Sequence, residues 1–468
     1  MSTGTSEQDP ERVVRQCIET GRDAMEQIQQ YDQSQTDDLA RAAAWAVYQE
    51  NRAESLVQST LKATEFGNGA DKREKLRSRV KGILHDTLGQ PSVGEIPTDR
   101  DGVVEIAKPV GVIGGLVPST NPAPSVANLA ILALKGRNAL VISASPSGII
   151  PATEAVEYIR NELARIGAPR DLVQVLPQPA SKAKSNALLE QADLLQVTGS
   201  AANVAAGQTA GTPNYSVSEG NPIALVDTGA DLGAVAERVG ASAGYDNGTT
   251  CIAESCLVAP TEVYAELRQA LADQGGYLCT REETDLLRET LFTDGHLNRD
   301  VIGLAAETLA AEAGIENSEI SEPDLLIVEA GDIDEDPLVT ECLSPILATV
   351  DVSDFETGLD VTRRILAREG AGHSVAVHTN DSHRAVNAGR TLDTCRVVVN
   401  QPNLGSSGTF ENGLTHTLSM GGGTWAGNQL DENLSYRHFI QTTRVAFRQE
   451  RDEPSAADVF GSYEGFDD

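Results

Sequence analysis

The chain has 468 residues, long enough for two or three domains. Apolar residues make up 40% and aromatics only 4%, a mix that suits an α/β protein packed with Ala, Val, Leu and Ile. Acidic residues outnumber basic ones by 69 to 36, for a net charge of -33, which argues against nucleic acid and anionic membrane surfaces as partners.

The acid is spread along the whole length, and arginine carries most of the positive charge. This predicts salt adaptation, because at molar salt the Debye length is about 3 Å and self-repulsion is screened. An acidic protein of ordinary cytoplasm is the competing reading. The six cysteines, Cys17, Cys251, Cys256, Cys279, Cys342 and Cys395, form no CxxC pair. A reducing compartment is therefore expected, with no metal and no disulfide framework. The N-terminal Met-Ser-Thr-Gly-Thr-Ser-Glu lacks the basic and then apolar order of a signal peptide. No run approaches the roughly 18 apolar residues of a membrane span. A cytoplasmic location is the expectation.

Residues 10–90 read as helices, with Val13, Val14, Cys17 and Ile18, and then Ala40, Ala43, Ala44, Val47 and Tyr48, at helical spacing. The stretch 56–83 is highly charged and is predicted to be partly exposed. Strands follow at 103–106 and 110–117, then a helix over 123–134, a stop at Lys135-Gly136-Arg137-Asn138, and a strand at 139–143. A helix over 154–166, a strand at 172–176, a helix over 180–191 and a strand at 194–198 continue the alternation. This β-α-β-α-β order is that of a doubly wound parallel sheet. A second α/β stretch starts near Ile223, with strands at 255–259, 324–328, 346–350, 374–378 and 397–400 and a helix over 263–274. Residues 405–427 are predicted to form an ordered loop anchored by Leu414, Leu418 and Trp425. The acidic tail after Asp452 is predicted to be disordered.

Four places carry candidate chemistry. Cys251 follows a Gly248-Thr249-Thr250 turn and precedes a strand, so its sulfur can open into a cleft as a nucleophile. A buried structural cysteine is the competing reading. Asn121, in Val117-Pro118-Ser119-Thr120-Asn121-Pro122, follows a strand end, where an amide can face a developing oxyanion; a turn residue before proline is the alternative. Thr198-Gly199-Ser200 joins a strand to a small-residue helix and suits a phosphate, or is a plain strand-to-helix turn. Glu341, in Thr340-Glu341-Cys342, could accept from ribose hydroxyls, or be a solvated acid.

In this order the four places resemble the aldehyde dehydrogenase superfamily, over roughly residues 40 to 448. Within it the chain resembles the CoA-acylating branch. Thr64-Glu65-Phe66-Gly67-Asn68-Gly69 is similar to its "ETGxGN" segment. Tyr245-Asp246-Asn247-Gly248 is similar to its "FDNG" lead-in. Gly423-Thr424-Trp425-Ala426-Gly427-Asn428 with Asp431-Glu432-Asn433 is similar to its "GTWGGN…SEN" signature.

The resemblance implies an α/β fold with a Rossmann-type nucleotide domain, an α/β catalytic domain and a small oligomerisation segment. On this chain these would be residues 1–225, 226–430 and 431–450, before a tail at 451–468. It implies that Cys251 attacks an aldehyde, that Asn121 and the Cys251 backbone N–H hold the oxyanion, and that hydride passes to NAD or NADP. Thr120, Ser143, Thr198, Gly199, Ser200, Gly220 and Glu341 would contact the cofactor, Glu341 at the nicotinamide ribose. Coenzyme A would then release the acyl group from Cys251. Hydrolytic members keep a Glu where this chain, aligned on Gly220, has Val217, and water needs a general base more than a thiol does. Glu219 could substitute as that base, which leaves hydrolysis to the free acid as the alternative. Ser145-Pro146-Ser147-Gly148 departs from the branch's "HPRA", and Ser143 stands where hydrolytic members keep a Lys, so NAD and NADP both stay open. The resemblance also implies a homodimer or homotetramer, with residues 436–445 as the intersubunit strand. Small aldehydes and anionic ones both stay open, and Arg396 is a basic residue that could grip an anion.

Overall fold

The computed structural model describes residues 9–217, 219–315 and 323–463. The readings of residues 1–7 and of the last tail residues, 464–468, lie outside the described residues.

Four helices open the chain: α1 (Pro10–Gln27), α2 (Gln33–Tyr48), α3 (Glu50–Thr64) and α4 (Gly69–Thr87). Three of the four starts are capped by a side chain. Asp9 caps α1 ahead of Pro10, Asp32 and Gln35 form a reciprocal capping box on α2, and Asn68 caps α4. Then come β1 (Gly94–Ile96), β2 (Val103–Pro109), β3 (Val112–Val117), α5 (Pro122–Lys135), β4 (Ala139–Ala144), α6 (Ile149–Arg165), β5 (Val173–Val175), α7 (Lys182–Gln191), β6 (Leu194–Thr198), α8 (Ala201–Thr209) and β7 (Asn214–Val217). The second half holds β8 (Ile223–Val226), α9 (Leu232–Gly244), β9 (Cys256–Pro260), α10 (Thr261–Asp273), β10 (Gly276–Leu278), α11 (Arg281–Leu291), β11 (Phe292–Thr293), β12 (His296–Leu297), α12 (Ala306–Glu312), β13 (Leu325–Glu329), β14 (Ile346–Val352), α13 (Phe355–Arg368), β15 (Val375–His378), α14 (Ser382–Thr391), β16 (Val397–Val399), β17 (Ile440–Ala446) and α15 (Ala456–Phe460).

The first sheet is parallel, with strand order β5-β4-β3-β6-β7. Both of its faces are covered. Val112 and Leu116 of β3 pack with α1 and α7, while Ile113 and Val117 pack with α2, α5 and α6. Burial on both sides is why these strands read as continuous apolar runs rather than alternating ones. Because β3 sits between β4 and β6, the chain reverses direction across the sheet there. The crevice beyond the C-terminal ends of β3 and β6 is the topological switch point, where such sheets bind ligands.

The second sheet is also parallel, ordered β10-β13-β14-β9-β8-β15-β16. It begins at Ile223, with Ile223 and Leu225 on one face and Ala224 and Val226 on the other. A three-stranded antiparallel ribbon, β1-β2-β17, ties the chain's end back to its first third. The strand predicted at 436–445 thus pairs within the chain, with Thr442 opposite Ala107, and its outer edge carries no partner among the described residues.

Two expectations fail. The 405–427 loop is ordered, but Trp425 is 50% exposed, and Leu414 and Leu418 are only partly buried. Buried polar groups hold it instead: Asn433 Nδ2 donates to the carbonyls of Ser406 and Thr415. The tail carries the short helix α15, closed at its start by Ser455 and Asp458, where disorder was predicted.

Candidate active site

The loop before Cys251 is held in an unusual shape. Asp246 and Asn247 have φ of 52° and 54°, a left-handed region that Asp and Asn tolerate best after glycine. The start of α4 supplies the clamp. The Asp246 N–H donates to Asp71 Oδ2 at 2.7 Å, and Asp246 Oδ1 accepts from the Asn68 N–H at 3.0 Å. Asn247 Nδ2 donates to the Gly303 carbonyl at 2.9 Å. A Cβ on Gly67 would overlap Asp246 Oδ1, and one on Gly248 would overlap the Ser344 carbonyl, so both motif glycines are close-approach positions.

Cys251 is partly exposed, yet burial and the Glu341 charge push its thiol up to about 12. Lys75 and Arg396 act in the opposite direction. Glu341 is itself pushed well above the usual carboxylate range by burial and by the charges of Glu369 and Glu219. A protonated Glu341 no longer opposes the thiolate, so the two titrations are coupled.

The 56–83 stretch, predicted to be partly exposed, hides two charges. Lys72 and Lys75 are 5% and 4% exposed, one helical turn apart on α4. Both donate to Asp246 Oδ2, at 3.1 Å and 2.8 Å. Burial lowers Lys72 to about 8, with Asp246 opposing. Lys75 Nζ also donates to Asn121 Oδ1 at 3.0 Å, and Lys72 Nζ reaches the Thr120 carbonyl at 3.4 Å. Asn121 and Thr120 are thereby tied to the loop that carries Cys251. The sequence signal for this cluster was Asp71-Lys72 and Lys75 directly after the "ETGxGN"-like segment.

The remaining predicted residues fall in two places. Around Cys251, a Cβ on Gly220 would overlap the Cys251 carbonyl and crowd the His373 ring, so Gly220, Cys251 and His373 are neighbours. Glu341 Oε1 is buried with no partner among the described residues. At the ends of the first sheet, Ser143 Oγ lies 2.9 Å from Ser185 Oγ, and Thr198 Oγ1 accepts from Gln196. Gly199 has φ of 156° and leads through Ser200 into α8, whose first N–H, on Ala201, donates to Glu219 Oε1 at 3.1 Å.

His373 was missed by sequence reasoning, since a lone Gly-His-Ser carries no spacing signal. It is buried, Nδ1 contacts Ser374 Oγ at 2.9 Å, and Nε2 has no partner among the described residues. Burial and Arg396 lower it to about 3, so it is neutral. Arg396 does not stand free for an anion: it is buried and donates to Asn433 Oδ1 and to the carbonyls of His373 and Gly421. Val217 is buried in the core of the first sheet. Among the described residues no group of three His, Cys, Asp or Glu is placed to hold a metal ion. Among them too, no helix is long and apolar enough to cross a membrane.

Comparison with known proteins gives a consistent result. Residues 4–283 match the model of the aldehyde dehydrogenase family. The chain is 38% identical to "Sulfoacetaldehyde dehydrogenase (acylating)" of Cupriavidus necator, covering 96% of this chain and 92% of that one. It is 32% identical to "Succinate-semialdehyde dehydrogenase (acetylating)" of Clostridium kluyveri, covering 96% and 99%. Among solved structures, an acetylating aldehyde dehydrogenase from Geobacillus thermoglucosidasius superposes with a TM-score of 0.90 at 30% identity, covering 95% of this chain and 98% of that one.

Proposed function

This chain belongs to the aldehyde dehydrogenase family, and on that premise we propose that it is a CoA-acylating dehydrogenase that uses Cys251 as nucleophile. The observation that carries the reading is that, among the described residues, no carboxylate at Val217–Gly220 is free to activate water. Val217 is core, and the Glu219 carboxylate is bonded to the start of α8. A thioester on Cys251 then survives water and waits for a thiol. The similarity to acylating relatives supports the same reading.

In the proposed sequence the Cys251 thiol releases its proton to solvent and Sγ adds to the aldehyde carbon. The oxygen becomes an oxyanion facing the Asn121 amide and the Cys251 N–H. NAD or NADP, when bound, supplies the acceptor for the hydride that leaves this carbon. Glu341 Oε1 fits a ribose hydroxyl, since it is a buried acceptor without a donor, and Gly199 with Ser200 at the start of α8 fits a phosphate. Thr120, Ser143, Thr198 and Gly220 complete the proposed contacts. The proton of the incoming thiol passes to the departing Cys251 sulfur, and neutral His373, beside Gly220 and the Cys251 carbonyl, offers Nε2 as a hydrogen-bond acceptor on that side.

The proposed substrates are small aldehydes ending in a sulfonate or carboxylate, on the strength of the named relatives. The proposed setting is a salt-rich cytoplasm, and the proposed assembly a closed homodimer or homotetramer that uses the open edge of β17. The domain division at 225, 430 and 450 remains part of this proposal.

The test is NAD(P)H formation from sulfoacetaldehyde, succinate semialdehyde and acetaldehyde in high KCl, with and without CoA. Strict CoA dependence, abolished in Cys251→Ala, is expected. Equal turnover without CoA would sink the acylating reading and return attention to Glu219.

A further inference from the structure

The chain has only eight lysines, and none after Lys184. Two of the eight are buried side by side under the nucleophile loop, where taking a charge out of water is costly. Such a cost calls for a specific return. Asn121 shows what it is. This residue sits at the N-cap of α5, where an Asn side chain ordinarily accepts from the first helical N–H groups. Pro122 and Pro124 remove two of those N–H groups, and the side chain makes no cap bond among the described residues, which leaves it free to face elsewhere. Its Oδ1 instead accepts from Lys75 at 3.0 Å, while the same ammonium donates to Asp246 Oδ2 at 2.8 Å. That leaves Nδ2 with a single long contact, to Thr120 Oγ1 at 3.4 Å.

We propose that Lys75 is a positioning residue for the reaction: clamped between Asp246 and Asn121, it fixes the amide with its N–H free for the oxyanion and polarises it toward donation. This rests on the assignment of Asn121 and Cys251 given above. The geometry has three supports. The amide orientation is decided by the bond to Lys75, since an ammonium has only donors and can face only Oδ1. Asp246 is rigid, held by Asn68, Asp71 and Lys72 as well. And Asp246 belongs to the same turn as Cys251, with the Thr249 N–H and hydroxyl both donating to the Asp246 carbonyl. One charge network therefore sets the distance between the oxyanion donor and the nucleophile. Lys75 also favours the Cys251 thiolate, together with Arg396 and against Glu341.

The test is a double-mutant cycle on the full chain, with Lys75→Met, Asn121→Ala and the pair. Losing an oxyanion donor costs about 100- to 1000-fold in kcat. Lys75→Met is expected to lower kcat by roughly 10- to 100-fold with the aldehyde KM within about threefold, and Lys75→Arg to recover much of it. In the Asn121→Ala background, Lys75→Met should cost less than about threefold more, because it acts through the residue already removed. The pH midpoint for iodoacetamide labelling of Cys251, read by mass spectrometry, should move up in Lys75→Met. Independent, multiplying losses in the pair, or an unchanged kcat and labelling midpoint in Lys75→Met, would overturn the proposal. So would loss of the cooperative thermal melt in both Lys75→Met and Lys75→Gln, which would mark a structural role only. A wild-type enzyme that turns over without CoA leaves this cycle readable through hydride release, so the two failures are distinguishable.

Discussion

At the scale of the residue, burial decides which ionisable groups matter. Glu254 sits three positions beyond Cys251 and is fully buried. Its Oε1 accepts from the Asn403 N–H at 2.7 Å, and Oε2 has no partner among the described residues. Burial raises its carboxyl from 4.5 to about 7. The folded state therefore binds this proton more tightly than the unfolded one, and stability present below pH 4.5 is lost as pH rises through 7. The loss is on the order of 3 kcal/mol between those limits. Glu254→Gln keeps the acceptor and removes the ionisation. Urea melts at pH 5 and pH 8 should show the variant gaining on the wild type at pH 8 and not at pH 5. An equal difference at both would mean that Glu254 ionises in the folded protein as readily as in the unfolded one.

At the scale of the element, single side chains join pieces far apart in the chain. Asn138 ends the turn after α5, and the helix stop read at 135–138 was legible from Gly136. Its wider role was not. Asn138 Oδ1 accepts from the N–H groups of Val110 and Gly111, and Nδ2 donates to the carbonyls of Ala133 and Phe439. One buried amide thus fixes the entry to β3, the end of α5 and the approach to β17. Asn138→Ala leaves these backbone groups unpaired and is expected to cost about 3 kcal/mol in a urea melt. A loss below about 1 kcal/mol would mean that water replaces the amide. The β-α alternation of the first sheet was read almost strand for strand, because both its faces are buried and each strand is an apolar run between turns. The β11–β12 hairpin was not, since strands of two residues carry no periodicity.

At the scale of the molecule, the charge of -33 sets how the protein meets its solvent. Its ion pairs are mostly surface Arg–carboxylate contacts, such as Arg22–Asp193 and Arg363–Asp360, which add little stability each. Unpaired acid dominates, so self-repulsion is the term that salt relieves. Raising KCl from 0.1 to 2 M shortens the Debye length from about 10 Å to under 3 Å. The melting temperature should rise across that range, and light scattering should report a dimer or tetramer at the upper end. A melting temperature that falls with KCl would remove the salt-adaptation reading, and a monomer mass would remove the oligomer.

The sequence by itself determined the α/β class and the order of the first sheet's elements, because strand periodicity and turn residues are local. It offered Cys251, Asn121, Gly199 and Glu341 as candidates with competing local readings, and the family resemblance gave them their roles. Only the tertiary structure decided that Lys72 and Lys75 lie buried on Asp246, that Glu219 turns to α8, that Arg396 is consumed by carbonyls, and that His373 stands beside Cys251. Each of these depends on where a side chain points after separate segments have packed, over 18 residues for Glu219 and Ala201 and over 171 for Lys75 and Asp246. Burial and charge pairing are properties of that packing, and no spacing along the chain encodes them.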